Sequence, residues 1–237
     1  MSIIAARDLK LYKESLKLSS VQQNLVVGSM LGDGNLRFVN RNKEVSFIVD
    51  HSCAQQDYVW WKYAIMKEWV LTEPKIVERI YHKDRQRKLT SIRFSTISHS
   101  ELTFWYRQFY KHGVKTIPEN IRELLISPLA LAIWFMDDGN KNGKAVFLNT
   151  QQFSLREQET LIHCLQENFS LRATINKHWL FKGKQLYRIR IDTESTVRLT
   201  SLIGHLLLPF LCYKLPQYPR NDLVRCASDQ MAVLQSL

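Results

Sequence analysis

The positions of apolar and polar residues predict the same order of elements twice along the chain. In the first half, an apolar run at helical spacing follows Ser20 and Gln23, which have capping-box spacing, and this helix ends at Gly34. Two strands, a helix, two more strands and a helix follow. In the second half, Ser127 caps and Pro128 opens an equivalent helix, and the same order returns. Each half is therefore predicted as α-β-β-α-β-β-α, with a repeat period of about 100 residues.

This duplication predicts an α+β fold made of two pseudo-symmetric halves, residues 1–126 and residues 127–237. No low-complexity linker separates the two halves. Because duplicated units without a linker usually share a pseudo-twofold interface, we expect a monomer with internal twofold symmetry. Two independent α+β domains are the alternative interpretation.

Several of the predicted strands alternate apolar and cationic residues. In the segment LYRIRID, Ile189 and Ile191 lie on one face and Arg188 and Arg190 on the other. Alternation of this kind packs apolar side chains against helices and leaves a cationic face open. A β-ribbon can enter the major groove, so this face is predicted to bind double-stranded DNA. The predicted DNA-binding residues are Arg37, Lys75, Arg79, Lys83, Arg93, Arg188 and Arg190.

The charge of the chain points to the same class of partner. Lys and Arg total 33 against 22 Asp and Glu, which gives a formal net charge of +11. An excess spread over both halves favours nucleic acid, although a basic protein with a solvated surface would show the same charge. The 45% of hydrophobic residues are enough for a packed core.

The sequence shows few signs of a zinc site, a membrane span or a secretory signal. The four cysteines form no Cys-x-x-Cys pair, and no histidine spacing suits zinc. The most apolar run, residues 201–213, is too short to span a bilayer, and the first residues lack the pattern of a secretory signal. We therefore expect an intracellular protein that is not secreted and binds no membrane.

Two six-residue segments, MLGDGN at 30–35 and FMDDGN at 135–140, are nearly identical and lie one in each half. Each follows an apolar helix and places an aspartate directly before a glycine. A glycine at this place is common where a helix simply ends, so one copy alone would carry little weight. An aspartate at a helix C-terminus is opposed by the helix dipole, and a bound cation would remove that opposition.

The longer stretches VVGSMLGDG (26–34) and LAIWFMDDG (131–139) resemble the two motifs of the LAGLIDADG homing endonucleases. The resemblance is to the single-chain, two-motif branch, which includes intron-encoded enzymes of yeast mitochondria. It extends over roughly residues 20–220 and includes KTIP at 115–118 and YKLP at 213–216. It implies that the two antiparallel sheets form a DNA-binding saddle. It also implies that the protein hydrolyses both strands of a long asymmetric DNA target.

The resemblance also implies the chemistry of the site. Asp33 and Asp138 match the catalytic aspartates, one for each DNA strand, and both are expected to bind metal. Gly32 and Asp137 match positions that supply a backbone carbonyl to the metal. Carboxylates are natural ligands of Mg²⁺, which positions water and neutralises phosphate charge, so Mg²⁺ is the expected cofactor, with Mn²⁺ as a substitute.

Two lysines complete the set of residues that the resemblance implies. Lys115 and Lys214 match the active-site lysines, which are expected to polarise water or to stabilise charge on the attacked phosphorus. The first motif has Gly28 where the second has Ile133, so close helix contact is expected to be asymmetric, with Gly28 facing a bulkier partner.

Two other functions are compatible with the sequence. An RNA maturase would keep the fold and the basic sheets but would assist intron splicing. A DNA-binding protein without enzymatic activity is the second alternative, and the intact Asp33 and Asp138 argue against it.

Overall fold

The structure is a computed structural model in which residues 6–39, 44–80 and 88–216 are described. Helices and antiparallel strands alternate along these ranges. The α-helices are α1 (Ala6–Ser15), α2 (Ser20–Leu31), α3 (Gln56–Met66), α4 (Ser100–Phe109), α5 (Ile121–Leu124), α6 (Pro128–Asp138), α7 (Leu155–Phe169) and α8 (Thr193–Ile203). The strands are β1 (Asn35–Phe38), β2 (Val45–Ser52), β3 (Lys75–Ile80), β4 (Lys88–Ser95), β5 (Tyr110–Lys111), β6 (Val114–Lys115), β7 (Gly139–Asn142), β8 (Ala145–Leu148), β9 (Ala173–Phe181) and β10 (Lys184–Ile191).

Two four-stranded antiparallel sheets have equivalent topology. Their strand orders are β1-β2-β4-β3 and β7-β8-β10-β9, so each sheet consists of two hairpins joined through their inner strands. One helix connects the hairpins in each case, α3 in the first and α7 in the second. The α+β class and the repeated α-β-β-α-β-β-α order are therefore confirmed. Helices α1 and α5 and the short hairpin β5–β6 are additions to this repeat.

Packing divides the chain at different places from the predicted boundary between residues 126 and 127. One compact unit takes the described residues of Met1–Gln23 and Asn35–Tyr106, and the other takes those of Asn24–Gly34 and Arg107–Leu237. The C-terminal part of α2 belongs to the second unit because it packs against α6. The halves 1–126 and 127–237 stay a prediction about the duplication of the sequence.

The first unit has its core between α3 and one face of its sheet. The buried side chains of this face come from the two inner strands and from α3, where Tyr58 and Val59 are fully buried. The buried strand residues are Val45, Phe47, Val49, Ile92 and Phe94. Since alternate positions on these strands point away from α3, their polar residues form the open face.

The start of α2 differs from the prediction by one residue. The hydroxyl of Ser19 accepts a hydrogen bond from the Gln22 N–H at 3.3 Å, and the Gln22 side-chain oxygen accepts one from the Ser19 N–H at 3.0 Å. The capping pair is therefore Ser19 and Gln22, and the predicted pair of Ser20 and Gln23 is wrong, because Ser20 already lies in the helix.

The second unit is built around α6. The prediction that Ser127 caps this helix is confirmed, since its hydroxyl accepts from the Leu129 N–H at 3.2 Å, with Pro128 as the first helical residue. Every residue from 130 to 137 is buried. Helices α7 and α8 contact the second sheet, whose inner strand β10 buries Ile189 and Ile191. No helix in the described ranges has both the length and the apolar composition needed to cross a bilayer.

Candidate active site

The C-terminal part of α2 and helix α6 approach each other closely at two glycine positions. A Cβ atom at Gly28 would lie 2.4 Å from the Ala130 carbonyl oxygen and 2.7 Å from the Ile133 Cβ. A Cβ atom at Gly32 would lie 2.4 Å from the Asp137 Cβ. The expected asymmetry is confirmed, because Gly28 leaves room for Ile133. In the same way, Gly32 leaves room for the side chain of Asp137, the acid that the first motif lacks.

The two motif aspartates lie at different places relative to their helices. Helix α2 ends before Asp33, and the chain then turns so that the Gly34 N–H donates to the Ser29 carbonyl at 2.8 Å. A Cβ atom at Gly34 would lie 2.6 Å from the Ser29 Cβ, so this turn requires glycine. By contrast, Asp138 is the last residue of α6. As a result the Asp33 side chain is exposed, whereas the Asp138 side chain is half-buried.

Three carboxyl groups gather at the ends of these two helices. Oxygens of Asp33 and Asp137 lie within 4.8 Å of each other, and the Asp33 N–H donates to Asp137 Oδ2 at 3.2 Å. Burial, and after it the negative charges of Asp33 and Asp137, together raise the pKa of Asp138 to about 8, while the charges of Lys115 and Lys214 oppose the shift. Burial and the two neighbouring acids thus outweigh the two lysines.

Each predicted active-site lysine binds the C-terminal end of its own motif. The ammonium group of Lys115 donates to the Gly32 and Gly34 carbonyls, at 2.8 Å each. That of Lys214 donates to the Met136 carbonyl at 2.5 Å and to the Asp137 carbonyl at 3.2 Å. A cation at a helix C-terminus satisfies carbonyls that lack partners within the helix. The two lysines therefore have equivalent positions in the duplicated fold, Lys214 buried and Lys115 half-buried.

The oxygen atoms at this site fit a divalent metal ion. Carboxylates and backbone carbonyls supply the oxygen ligands that hard divalent cations take. A cation beside Asp138 would favour its ionised form, which burial and the charges of Asp33 and Asp137 disfavour. The carbonyls of Gly32 and Asp137, which the sequence suggested as ligands, already accept from Lys115 and Lys214. A carbonyl oxygen has a second lone pair, so their role as metal ligands stays a prediction.

The sequence shows two acids in the second motif where the first has Gly32 and Asp33, and it assigned Asp137 to the metal site through its backbone carbonyl. The structure adds the place of the Asp137 carboxylate, which lies beside Asp33 and accepts a hydrogen bond from the Asp33 backbone. The signal in the sequence is the first acid of FMDDG, Asp137, which stands where the first motif has Gly32. This exchange makes the two motifs chemically unequal.

On the second sheet, Arg188 and Arg190 lie on the face opposite the buried Ile189 and Ile191, as the alternation predicted. The Arg188 guanidinium carbon lies 3.5 Å from the centre of the Phe147 ring, and in the strand register Phe147 is directly opposite Arg190. The Nε of Arg188 is buried without a hydrogen-bond partner. The guanidinium is thus held over an aromatic ring, an arrangement that the sequence analysis did not include.

The first sheet carries its cationic residues on exposed positions. Arg37, Lys75 and Arg93 are exposed, and Lys75 is directly opposite Arg93 in the register of β3 and β4. Asp50 is opposite Arg93 on the other side, so one acid accompanies these cations. The side chain of Arg79 is not described, and Lys83 lies outside the described residues.

Comparison with known proteins gives a consistent result. The model of the LAGLIDADG DNA endonuclease family matches residues 23–199. The chain is 28% identical to the cytochrome b mRNA maturase bI2 of Debaryomyces hansenii, over 82% of this chain and 73% of the maturase. It is also 28% identical to the DNA endonuclease I-ChuI of Chlamydomonas applanata, over 84% of this chain and 96% of that enzyme.

A solved structure shares the fold over nearly the whole length of both chains. It is that of the homing endonuclease I-WcaI bound to its DNA recognition sequence, with a TM-score of 0.79 and 26% identity. The match covers 90% of this chain and 94% of that one. Since the family model covers well over half of the sequence, the chain belongs to the LAGLIDADG DNA endonuclease family.

Proposed function

We propose that the protein is a homing endonuclease that hydrolyses one phosphodiester bond in each strand of a long, asymmetric DNA target. The observation that supports this most directly is the group of carboxylates from Asp33, Asp137 and Asp138 beside two lysines that bind the ends of the two motif helices. A helix end that needs only a structural cap has no use for three acids. Their mutual repulsion is better explained by a cationic partner.

Asp33 and Asp138 are the proposed catalytic aspartates, one for each strand, and would bind Mg²⁺, or Mn²⁺ in its place. Asp137, through its carboxylate and its carbonyl, and Gly32, through its carbonyl, complete the proposed ligands. A bound divalent ion would lower the pKa of a water molecule and neutralise charge on the phosphate. Since Gly32 leaves room for the Asp137 side chain, the two motifs are expected to contribute unequally to metal binding.

Lys115 and Lys214 have two proposed roles. Through their hydrogen bonds to carbonyls they fix the backbone that carries Asp33 and Asp138. Their positive charges also stand close enough to lower the pKa of Asp138, and the same charges would stabilise the anionic transition state at an attacked phosphate.

The partner is proposed to be double-stranded DNA, contacted by the open faces of both sheets and bound by a monomer. Two half-sites about one helical turn apart imply a target of about 20 base pairs. The resemblance further suggests that the enzyme mobilises the intron or intervening element that encodes it. We therefore also propose an intracellular location, in an organelle (mitochondrion or chloroplast) or in a bacterial cytoplasm.

RNA maturation is a second candidate function. It is favoured by the similarity to the cytochrome b mRNA maturase bI2 of Debaryomyces hansenii. A maturase would bind intron RNA without needing the carboxylates, so splicing assistance by an Asp33→Asn variant that no longer cuts DNA would separate the two activities.

The test of the proposal begins with a randomised DNA library from which cleaved sequences are recovered. Asp33→Asn and Asp138→Asn should abolish double-strand cleavage of the recovered target, because each removes a proposed metal ligand. Binding measured in metal-free buffer should persist or tighten, since an acid near phosphates has been neutralised. Asp57→Asn, an exposed residue on α3, is the matched control and should cleave normally. Full Mg²⁺-dependent cleavage by either site variant would refute the assignment.

A further inference from the structure

The hairpin formed by β9 and β10 ends in an exposed apolar tip. We use the name apolar tip for Trp179, Leu180 and Phe181, whose side chains are 62%, 69% and 56% exposed. Three consecutive large apolar residues are seldom left in water without a function, because burying each would be favourable. On the same hairpin, Ile189 and Ile191 are fully buried, so the exposure is confined to the end that lies away from the core.

The apolar tip has a defined conformation. The turn has positive φ at both central residues, Lys182 (48°) and Gly183 (77°), which matches the twist of a two-residue hairpin. Between the pairs Tyr187–Lys177 and Gln185–Leu180 the register shifts, so that two residues of β9 stand against one of β10. This is a β-bulge, a feature that redirects side chains.

The bulge is held in place by hydrogen bonds and by ring stacking. The side-chain amide of Gln185 donates to the carbonyls of His178 and Leu186, at 3.1 and 2.9 Å. The rings of His178 and Trp179 stack with centroids 4.6 Å apart. These hydrogen bonds thus tie the Gln185 side chain to the backbone of both strands at the bulge beside the apolar tip.

The charge of the hairpin identifies the partner as an anion. Residues 173–191 contain five Lys or Arg residues and no Asp or Glu. Lys182 is near the tip itself, with its ammonium group 5.6 Å from the centre of the Phe181 ring. An apolar surface surrounded by cations fits a polyanion that also exposes apolar groups, and a DNA groove has both properties.

The position of the tip relative to the active site follows from the strand register. Gly139 follows Asp138 directly and pairs with Leu148, which pairs with Ile189. Within the tip, Leu180 is opposite Gln185, which lies four residues before Ile189 on β10. At about 3.4 Å per residue this is about 14 Å, or about four base pairs of DNA. The tip therefore reaches further from the cleavage site than Arg190 does.

We propose that the apolar tip contacts thymine methyl groups in the major groove, at the outer end of the half-site bound by β9 and β10. This inference rests on the proposed function, because the same two strands carry Arg188 and Arg190 on the face assigned to DNA. The C5-methyl of thymine is the apolar group that a base edge presents in the major groove. The tip is a specificity-determining element and takes no part in the chemistry.

The test removes the thymine methyl group and the tip side chains separately. In the target recovered from the library, each thymine at the outer end of this half-site is replaced by deoxyuridine, which lacks only the methyl group. Dissociation constants are measured in metal-free buffer for the unchanged protein and for Leu180→Ala, Phe181→Ala and Trp179→Ala. Val197→Ala, an exposed apolar residue on α8, is the matched control.

Removing one contacted methyl should weaken binding by the unchanged protein about fourfold, equivalent to about 0.8 kcal/mol. At least one tip variant should no longer distinguish thymine from deoxyuridine at that position, while the control variant still does. Cleavage of the recovered target should continue in every tip variant. Cleavage by the tip variants would support the proposed function independently of the proposal about the tip.

Three results would overturn the proposal. The first is a recovered target without a thymine preference at the outer end of this half-site. The second is a penalty for methyl removal that is the same in the unchanged protein and in all three tip variants. The third is a loss of intron RNA binding in the tip variants while DNA binding is unchanged, which would assign the tip to RNA. Failure to recover any cleaved or bound DNA would instead contradict the proposed function.

Discussion

Ionisation of Asp138 should make the metal-free protein less stable as the pH rises. Its pKa rises from 3.8 to about 8, mainly through burial and then through the charges of Asp33 and Asp137. Between these two values the folded protein holds a proton that the unfolded chain has released. Since the unfolded state binds fewer protons, the free energy of unfolding falls with pH, by up to about 1.36 kcal/mol per unit.

The size of the effect follows from the same two pKa values. Below about pH 4 both states are protonated, and above about pH 8 both are ionised, so the change is confined to this window. Between about pH 5 and about pH 8 the free energy of unfolding should decrease by about 3–4 kcal/mol. A divalent cation favours the ionised carboxylate, so the stabilisation given by Mg²⁺ should increase over the same window.

The assay is urea unfolding in the presence of a chelator, at several pH values across this window. Asp138→Asn cannot titrate at this position, so the difference in free energy of unfolding between the natural chain and this variant isolates the contribution of Asp138. Asp57→Asn controls for the general loss of one negative charge. If the difference in the free energy of unfolding between the natural chain and Asp138→Asn is the same at both ends of the window, the pKa of Asp138 is not raised in the folded protein.

Three further tests concern the packing of the motif helices, the two lysines and the open faces of the sheets. Gly28→Ala should lower the free energy of unfolding by about 1–3 kcal/mol in urea unfolding, because the new methyl group meets the Ala130 carbonyl oxygen and the Ile133 side chain of α6. Lys115→Met and Lys214→Met should each slow cleavage roughly a hundredfold in single-turnover assays, with unequal effects on the two strands and smaller effects on binding. Arg190→Ala should relax base preference by about 1–3 kcal/mol at the positions it contacts, measured with single-base target variants, whereas Lys75→Ala should weaken all targets alike.

Each of these tests has a result that would contradict it, and the Gly28 variant also has a control. Ser29→Ala is the control for Gly28, because this neighbouring hydroxyl is buried without a hydrogen-bond partner and its removal should leave stability nearly unchanged or increase it. Equal stability of Gly28→Ala and the natural chain would show that the helices can move apart. If the lysine variants only raise the dissociation constant, the lysines anchor phosphates and their catalytic role is wrong. A uniform loss of affinity in Arg190→Ala would show that this arginine does not read bases.

Local patterns in the sequence were enough for the order of elements and for the inward and outward faces of the strands. Helical and strand periodicity record which side of an element is buried, so the alternation of Ile189 and Ile191 with Arg188 and Arg190 survives in the structure. The repeated Asp-Gly segments likewise identified both motif helices, because a repeat can be recognised without coordinates. The cap of α2 was predicted one residue too late, at Ser20 in place of Ser19, since both serines offer the same hydroxyl group.

Tertiary structure decided what depends on distances between residues far apart in the chain. The approach of Gly28 to Ile133 assigns the end of α2 to the second packing unit, a result that no periodicity contains. The position of the Asp137 carboxylate beside Asp33, and the binding of each lysine to its own motif, depend on how the ends of two helices are oriented. The exposure of the apolar tip could not be predicted from the sequence for a similar reason. A bulge changes which way side chains point, and whether an apolar residue is buried or exposed depends on the folded chain and not on the residue type.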